Sequence, residues 1–155
     1  MLELLAQDSR LPHATIAAML GCPEGEVSRA IKRLEEDKII SFKPIINWEK
    51  TGREPVNAII ELKITPQRDM GFEKIARRVY EYPQVKSLYL MSGAYDLAVM
   101  IEGKSMKEVA LFVAEKLAPM ESIVSTATHF VLRAYKENGF VFDDRGRDIR
   151  QVITL

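Results

Sequence analysis

The chain has 155 residues, 47% hydrophobic and 28% charged, with 22 Lys/Arg against 22 Asp/Glu. That is enough for one sizeable core or two small ones, without the basic excess of a protein that coats nucleic acid by charge alone. Cys22 is a lone cysteine and His13 and His129 are far apart, so no internal disulfide, thiolate zinc finger or histidine metal site is expected, and no cofactor is implied.

No apolar run is long enough to cross a bilayer, and the N-terminus lacks a signal peptide's basic start and cleavage site, so the expected compartment is the cytoplasm with no membrane partner. No phosphate-cradling loop, nucleophile elbow or paired catalytic motif is present, and the reading is of a protein that is not an enzyme.

In chain order, Met1-Leu2-Glu3-Leu4-Leu5 starts in mid-helix. A helix over His13 to Leu20 follows, with Ile16, Ala17 and Leu20 on one side and Gly21 where a left-handed end residue is wanted. Pro23 suits the first turn of a second helix, expected over Pro23 to Asp37 with Cys22 as a poor cap. On it Val27, Ala30, Ile31 and Leu34 fall at i, i+3, i+4 and i+7, an apolar stripe, while Ser28, Arg29, Lys32 and Arg33 share the opposite face.

That is the arrangement of a helix whose polar face enters the major groove of double-stranded DNA. Ile39, Ile40 and Phe42, then a turn at Lys43-Pro44 into Ile45, Ile46 and Asn47, predict a two-stranded wing able to lie along the phosphates. The same residues also fit two amphipathic helices and a hairpin with a solvated basic face. Charge does not decide between them, because residues 1 to 55 hold eight Lys/Arg against nine Asp/Glu, five of the acids (Glu24, Glu26, Glu35, Glu36, Asp37) flanking the presumed reading face.

After a polar linker over Glu49 to Pro55, the order reads strand (Ala58 to Ile64), helix (Arg68 to Tyr82), strand (Val85 to Ser92), strand (Asp96 to Glu102), helix (Met106 to Leu117) and strand (Ile123 to Tyr135). This is βαββαβ, the ferredoxin-like α+β sandwich. Phe72, Ile75, Ala76 and Val79 make one helical stripe; Met106, Val109, Ala110, Val113 and Leu117 make another, opened by an S-x-x-E capping box at Ser105 and Glu108. The central strands are apolar on both faces: Leu88 and Leu90 alternate with Tyr89 and Met91, and Leu97, Val99 and Ile101 with Ala98 and Met100. One layer of helices covers only one of those faces, so the other is expected to meet a second copy about a two-fold axis.

Between the central strands lies Ser92-Gly93-Ala94-Tyr95-Asp96. As a plain hairpin turn it needs only a glycine with positive φ. As a site, amides around Gly93 and the Asp96 carboxylate could take an amino acid's carboxylate and ammonium.

A helix-turn-helix ending Arg33-Leu34-Glu35-Glu36-Asp37-Lys38-Ile39-Ile40, then Tyr89-Leu90-Met91-Ser92-Gly93-Ala94-Tyr95-Asp96-Leu97 and Ser125-Thr126-Ala127-Thr128-His129-Phe130-Val131-Leu132, resembles the leucine-responsive regulatory protein/AsnC (feast/famine) family over about residues 1 to 135. The resemblance implies a winged helix-turn-helix over 1–48, a linker over 49–55, a RAM effector-binding and oligomerisation domain over 56–135 and an extension over 136–155.

It further implies a sequence-specific, DNA-binding transcriptional regulator that responds to a small effector, usually an amino acid. DNA contacts would come from Ser28, Arg29, Lys32, Arg33 and Lys43, and effector contacts from Met91, Ser92, Gly93, Tyr95 and Asp96 with Thr126 and Thr128 near the turn of a neighbouring subunit. The implied assembly is a homodimer that in many members builds octamers. Two other functions fit the same architecture. One is a ligand-sensing or assembly protein with weak DNA binding; the other is a siroheme decarboxylase-like enzyme, for which only His129 and Arg133 are placed to hold a tetrapyrrole's carboxylates.

Overall fold

The computed structural model describes residues 1–65 and 71–142. The expected helix start at Arg68 and the tail from Asp143 to Leu155 lie outside the described residues. The chain falls into two compact units, Met1–Ile45 and Ile46–Leu155.

The first unit holds α1 (Leu2–Gln7), α2 (His13–Leu20) and α3 (Glu24–Glu36). Its core is Leu5, Ile16, Ala17, Val27 and Ile31, with Leu4, Leu11, Cys22 and Ile40 packed around it. α2 keeps its expected limits because Gly21 adopts φ 66°, and the Cys22 amide donates back to the Ala17 carbonyl at 3.1 Å, closing a helix that ends on a left-handed residue.

The second helix departs from expectation by one residue at each end. Pro23, not Cys22, takes the N-cap position in extended conformation, and its carbonyl accepts the Glu26 amide at 2.9 Å. A proline at the cap forfeits no helical donor. Cys22 is used for packing instead, its half-buried side chain lying against the core.

The wing is a correction. No strand forms between Ile39 and Asn47; Lys38 turns the chain at φ 57°, and the Ile39 amide returns to the Leu34 carbonyl at 2.9 Å. An isolated two-stranded ribbon is marginal, and Pro44 removes one donor from the segment that would have formed it.

In the second unit a short 3₁₀ turn (Trp48–Thr51) precedes β1 (Val56–Ile64), α4 (Phe72–Tyr80), β2 (Val85–Leu90), β3 (Leu97–Gly103), α5 (Met106–Phe112), a π turn (Val113–Leu117) and β4 (Ile123–Val131). The antiparallel sheet has the order β2-β3-β1-β4, as a βαββαβ sandwich requires. Ala58, Ile60, Leu62 and Ile64 of β1 and Leu97, Val99 and Ile101 of β3 point to the helices, where Ile75, Val79, Val109, Phe112, Val113 and Leu117 meet them.

On the second helical stripe Met106 and Ala110 are exposed, contrary to expectation, and Phe112 is buried in their stead, its ring edge-on to Tyr82 at 5.3 Å. A phenylalanine buries far more apolar area than an alanine, and Phe112 stands with Val113 on the same helical face as the buried Val109. Ser105 Oγ accepts the Glu108 amide at 3.1 Å, and the Glu108 carboxylate accepts the amide of Lys104 at 2.6 Å, so the capping box closes one residue earlier than the usual form.

The sheet's other face is bare of protein among the described residues. Ile59, Ala98, Met100, Ala127, Tyr89 and Val131 share it with Glu61, Lys63 and His129, as the strand register requires. Met100 is 39% and Tyr89 53% exposed there. β4 stops at Val131 rather than Tyr135, and a small hairpin, β5 (Lys136–Glu137) and β6 (Phe140–Val141), follows.

Candidate functional site

On α3 the buried positions are Val27 and Ile31, which leaves Gly25, Arg29, Lys32, Arg33 and Glu36 exposed along one side. The basic side chains expected to meet DNA are therefore brought together. Lys32 reaches Glu36 at 3.8 Å, but both side chains are mostly in solvent (77% and 64%), so the pair is worth only about 0.3–0.5 kcal/mol and does not compete with a phosphate.

Ser28 is placed differently from expectation. It is half-buried, and its Oγ lies 2.9 Å from Nδ1 of His13, the first residue of α2. Lys43 is exposed on the segment without a ladder, so no strand pairing fixes it beside α3.

The turn between β2 and β3 lies at the end of the sheet where β1 runs out. The Met91 amide donates to the Asp96 carbonyl at 2.9 Å, which closes the turn, and the Asp96 amide donates to the Leu62 carbonyl at 3.0 Å. The Asp96 carboxylate accepts the Ile64 amide at 2.7 Å and the Lys63 ammonium at 3.2 Å, where the β1–β4 register slips between Lys63 and Ile64. Gly93 sits at φ 151°, a conformation favouring glycine; Met91 to Ala94 are exposed and Tyr95 is half-buried.

Thr126 pairs with Leu62 and Thr128 with Ile60 on β4, both half-buried. Leu62 thus borders both Asp96 and Thr126, which brings Ser92, Gly93, Tyr95, Asp96 and Thr126 to one end of the sheet, with Thr128 one step towards its middle. Reading residues in sequence order missed Lys63, because its link to Asp96 exists only once two strands 33 residues apart are aligned.

Asp96 is held below the ordinary carboxylate range, first by the Ile64 amide and then by Lys63, against the opposing effect of partial burial. A carboxyl whose folded pKa is depressed contributes stability that is present above the ordinary value of 3.8 and lost as the pH falls through the lower folded value. Asp96→Asn is therefore expected to lower the melting temperature at pH 7 and to flatten its decline below pH 4, as thermal scans from pH 7 to pH 3 measure. Parallel curves for variant and wild type would show that Asp96 does not staple the turn.

The two basic residues weighed for a tetrapyrrole are both engaged with carboxylates: His129 Nε2 lies 3.2 Å from Glu61, and Arg133 Nε lies 3.9 Å from Glu49 with its guanidinium over the Tyr135 ring. Among the described residues no group of three His, Cys, Asp or Glu could hold a metal ion, and no helix is long and apolar enough to cross a membrane.

Residues 1–35 match the AsnC-type helix-turn-helix domain and residues 57–141 the Lrp/AsnC ligand binding domain. The chain is 47% identical over 156 residues to the uncharacterized HTH-type transcriptional regulator YugG of Bacillus subtilis, covering 99% of this chain and 94% of that one. Among solved structures it resembles MtbAldR (TM-score 0.72, 20% identity, 87% of this chain and 91% of that one). It also resembles a transcriptional regulator of Neisseria meningitidis in complex with L-Met (TM-score 0.65, 21% identity, 86% of each). With a helix-turn-helix ahead of a four-stranded ligand-binding sandwich and both domains matched in order, the chain belongs to the Lrp/AsnC family of transcriptional regulators.

Proposed function

We propose that this protein is a cytoplasmic, non-enzymatic regulator that binds double-stranded DNA through α3 and changes that binding when an amino acid occupies the turn at the sheet end. The single observation that carries the reading is the exposed Arg29, Lys32 and Arg33 side of α3 above a packed Val27 and Ile31, in a chain whose other half matches a ligand-binding domain. Lys43, exposed on the segment after α3, can add a phosphate contact, while Ser28 acts only through the His13 ring it holds.

The effector is a zwitterion. Its carboxylate needs donors, which the Gly93 amide and the Ser92 hydroxyl supply with the hydroxyls of a neighbouring subunit's Thr126 and Thr128, and its ammonium needs an acceptor, for which the Asp96 carboxylate keeps lone pairs beyond those taken by Ile64 and Lys63. Met91 and Tyr95 border the space for the side chain. That the Neisseria meningitidis relative was crystallised with L-Met supports an amino acid as the chemical class. The unit of function is a homodimer formed through the open sheet face, from which octamers are built.

Arg29→Ala is expected to cost about 1–3 kcal/mol and to relax preference at one base pair if the guanidinium reads a guanine edge, whereas Lys32→Ala weakens every sequence alike and lowers the salt slope by about 1. Fluorescence anisotropy on the protein's own upstream DNA and on base-substituted duplexes measures both. Wild-type binding by the two variants would remove α3 from the interface.

A further inference from the structure

The only side-chain hydrogen bond joining two helices among the described residues of the first unit is that between His13 and Ser28, and the function just proposed gives His13 itself no role. His13 is exposed at the start of α2; Ser28 precedes Arg29 on α3. With Nδ1 committed to the Ser28 hydroxyl, Nε2 is the ring nitrogen left to meet a ligand. In a helix-turn-helix the first helix crosses the DNA backbone while the second reads bases.

We infer that His13, oriented by Ser28, is a phosphate-contacting residue of the DNA surface whose protonation strengthens binding. The inference rests on the DNA-reading role of α3. Residues 1–45 carry six Lys/Arg and seven Asp/Glu, so a single added proton takes this unit from net −1 to neutral, a large relative change for a module that must approach a polyanion.

α2 has no other charged side chain. The charged groups on the elements around it are Glu24, Glu26, Arg29, Lys32, Arg33, Glu35 and Glu36 of α3, Glu3 of α1, and Asp8 and Arg10 of the preceding loop, where Asp8 accepts the Arg10 amide at 2.9 Å. A lone imidazolium at the start of a helix opposes the helix dipole, but a phosphate placed beside it reverses that balance, so proton uptake and DNA binding favour each other.

The test is anisotropy of the full chain on its own upstream duplex at pH 7.2 and pH 5.8 in about 0.1 M salt. The chain has two histidines, so the response can be assigned. Wild type is expected to bind about five- to tenfold tighter at pH 5.8, with a salt slope steeper by about 0.9 per engaged module. His13→Gln loses that difference, and His13→Lys binds at pH 7.2 as tightly as wild type does at pH 5.8, whatever the glutamine variant's stability.

A pH response that survives in His13→Gln, or His13→Lys no tighter than wild type at pH 7.2, would overturn the inference. Saturable but pH-independent wild-type binding would overturn it while leaving the DNA-reading role intact. No saturable binding at either pH would instead overturn that role itself.

Discussion

Met100→Glu is expected to split the homodimer. Met100 lies on β3 opposite Ile59 of β1 and Ser87 of β2, in the middle of the sheet face that no helix among the described residues covers. If a second sheet lies on this face, a glutamate there places a carboxylate in a contact that strips its hydration. Glu61, two residues along β1 from Ile59 on the same face, adds like-charge repulsion across the diagonal.

An uncompensated buried charge costs about 3–5 kcal/mol, and two-fold symmetry applies that cost twice in each dimer. Light scattering coupled to size exclusion at micromolar concentration should show monomers or a precipitate, with a lowered melting temperature. Unchanged mass and unchanged melting temperature would show that this face does not form the dimer.

Ile16→Ala should abolish DNA binding while sparing effector binding by the second unit. Ile16 is fully buried among Leu5, Ala17, Val27 and Ile31, and these five side chains are the whole buried core of the first unit. Truncating a buried isoleucine costs about 2–5 kcal/mol through lost transfer free energy and the cavity left behind. A unit of this size rarely has more than about 3–5 kcal/mol in hand, so the substitution removes most or all of its stability. The second unit keeps its own core around Ile60, Leu62, Val99 and Leu117. Hydrogen exchange should show α2 and α3 losing protection while β1 and β3 keep theirs; equal loss in both units would mean that they unfold as one.

The helix-turn-helix was legible because its punctuation is chemical: Gly21 ends α2 in the one conformation that favours glycine, and Pro23 starts α3 where no donor is lost. The sandwich was legible because short apolar runs and helical stripes follow one another in the order βαββαβ; which strand face is covered, every second residue from Ala58 to Ile64 and from Leu97 to Ile101, emerged only in the structure.

What sequence reasoning missed depends on partners distant along the chain. A ribbon over residues 39–47 needs something to pair against, and apolar strand propensity alone does not supply it. Phe112 displaced Met106 and Ala110 because Tyr82, far back along the chain, supplies the ring it packs against, and the larger side chain wins the buried place.

The candidate site was legible in its residue types but not in its wiring. Asp96 reads as a free acceptor beside Gly93 until β1 is aligned with β3, when the Ile64 amide and Lys63 prove to hold it. Ser28 reads as a groove-facing hydroxyl until α2 is folded against α3 and His13 meets it.

The most direct test of an effector-responsive DNA regulator is one titration repeated across a panel: the full chain against its own upstream duplex and a scrambled duplex of equal length, by anisotropy, with each of the twenty amino acids in turn. The expected result is tighter, saturable binding to the upstream duplex, with an affinity that at least one amino acid changes by fivefold or more, the range of an ordinary allosteric coupling. Equal affinity for both duplexes, unmoved by every amino acid, would contradict it.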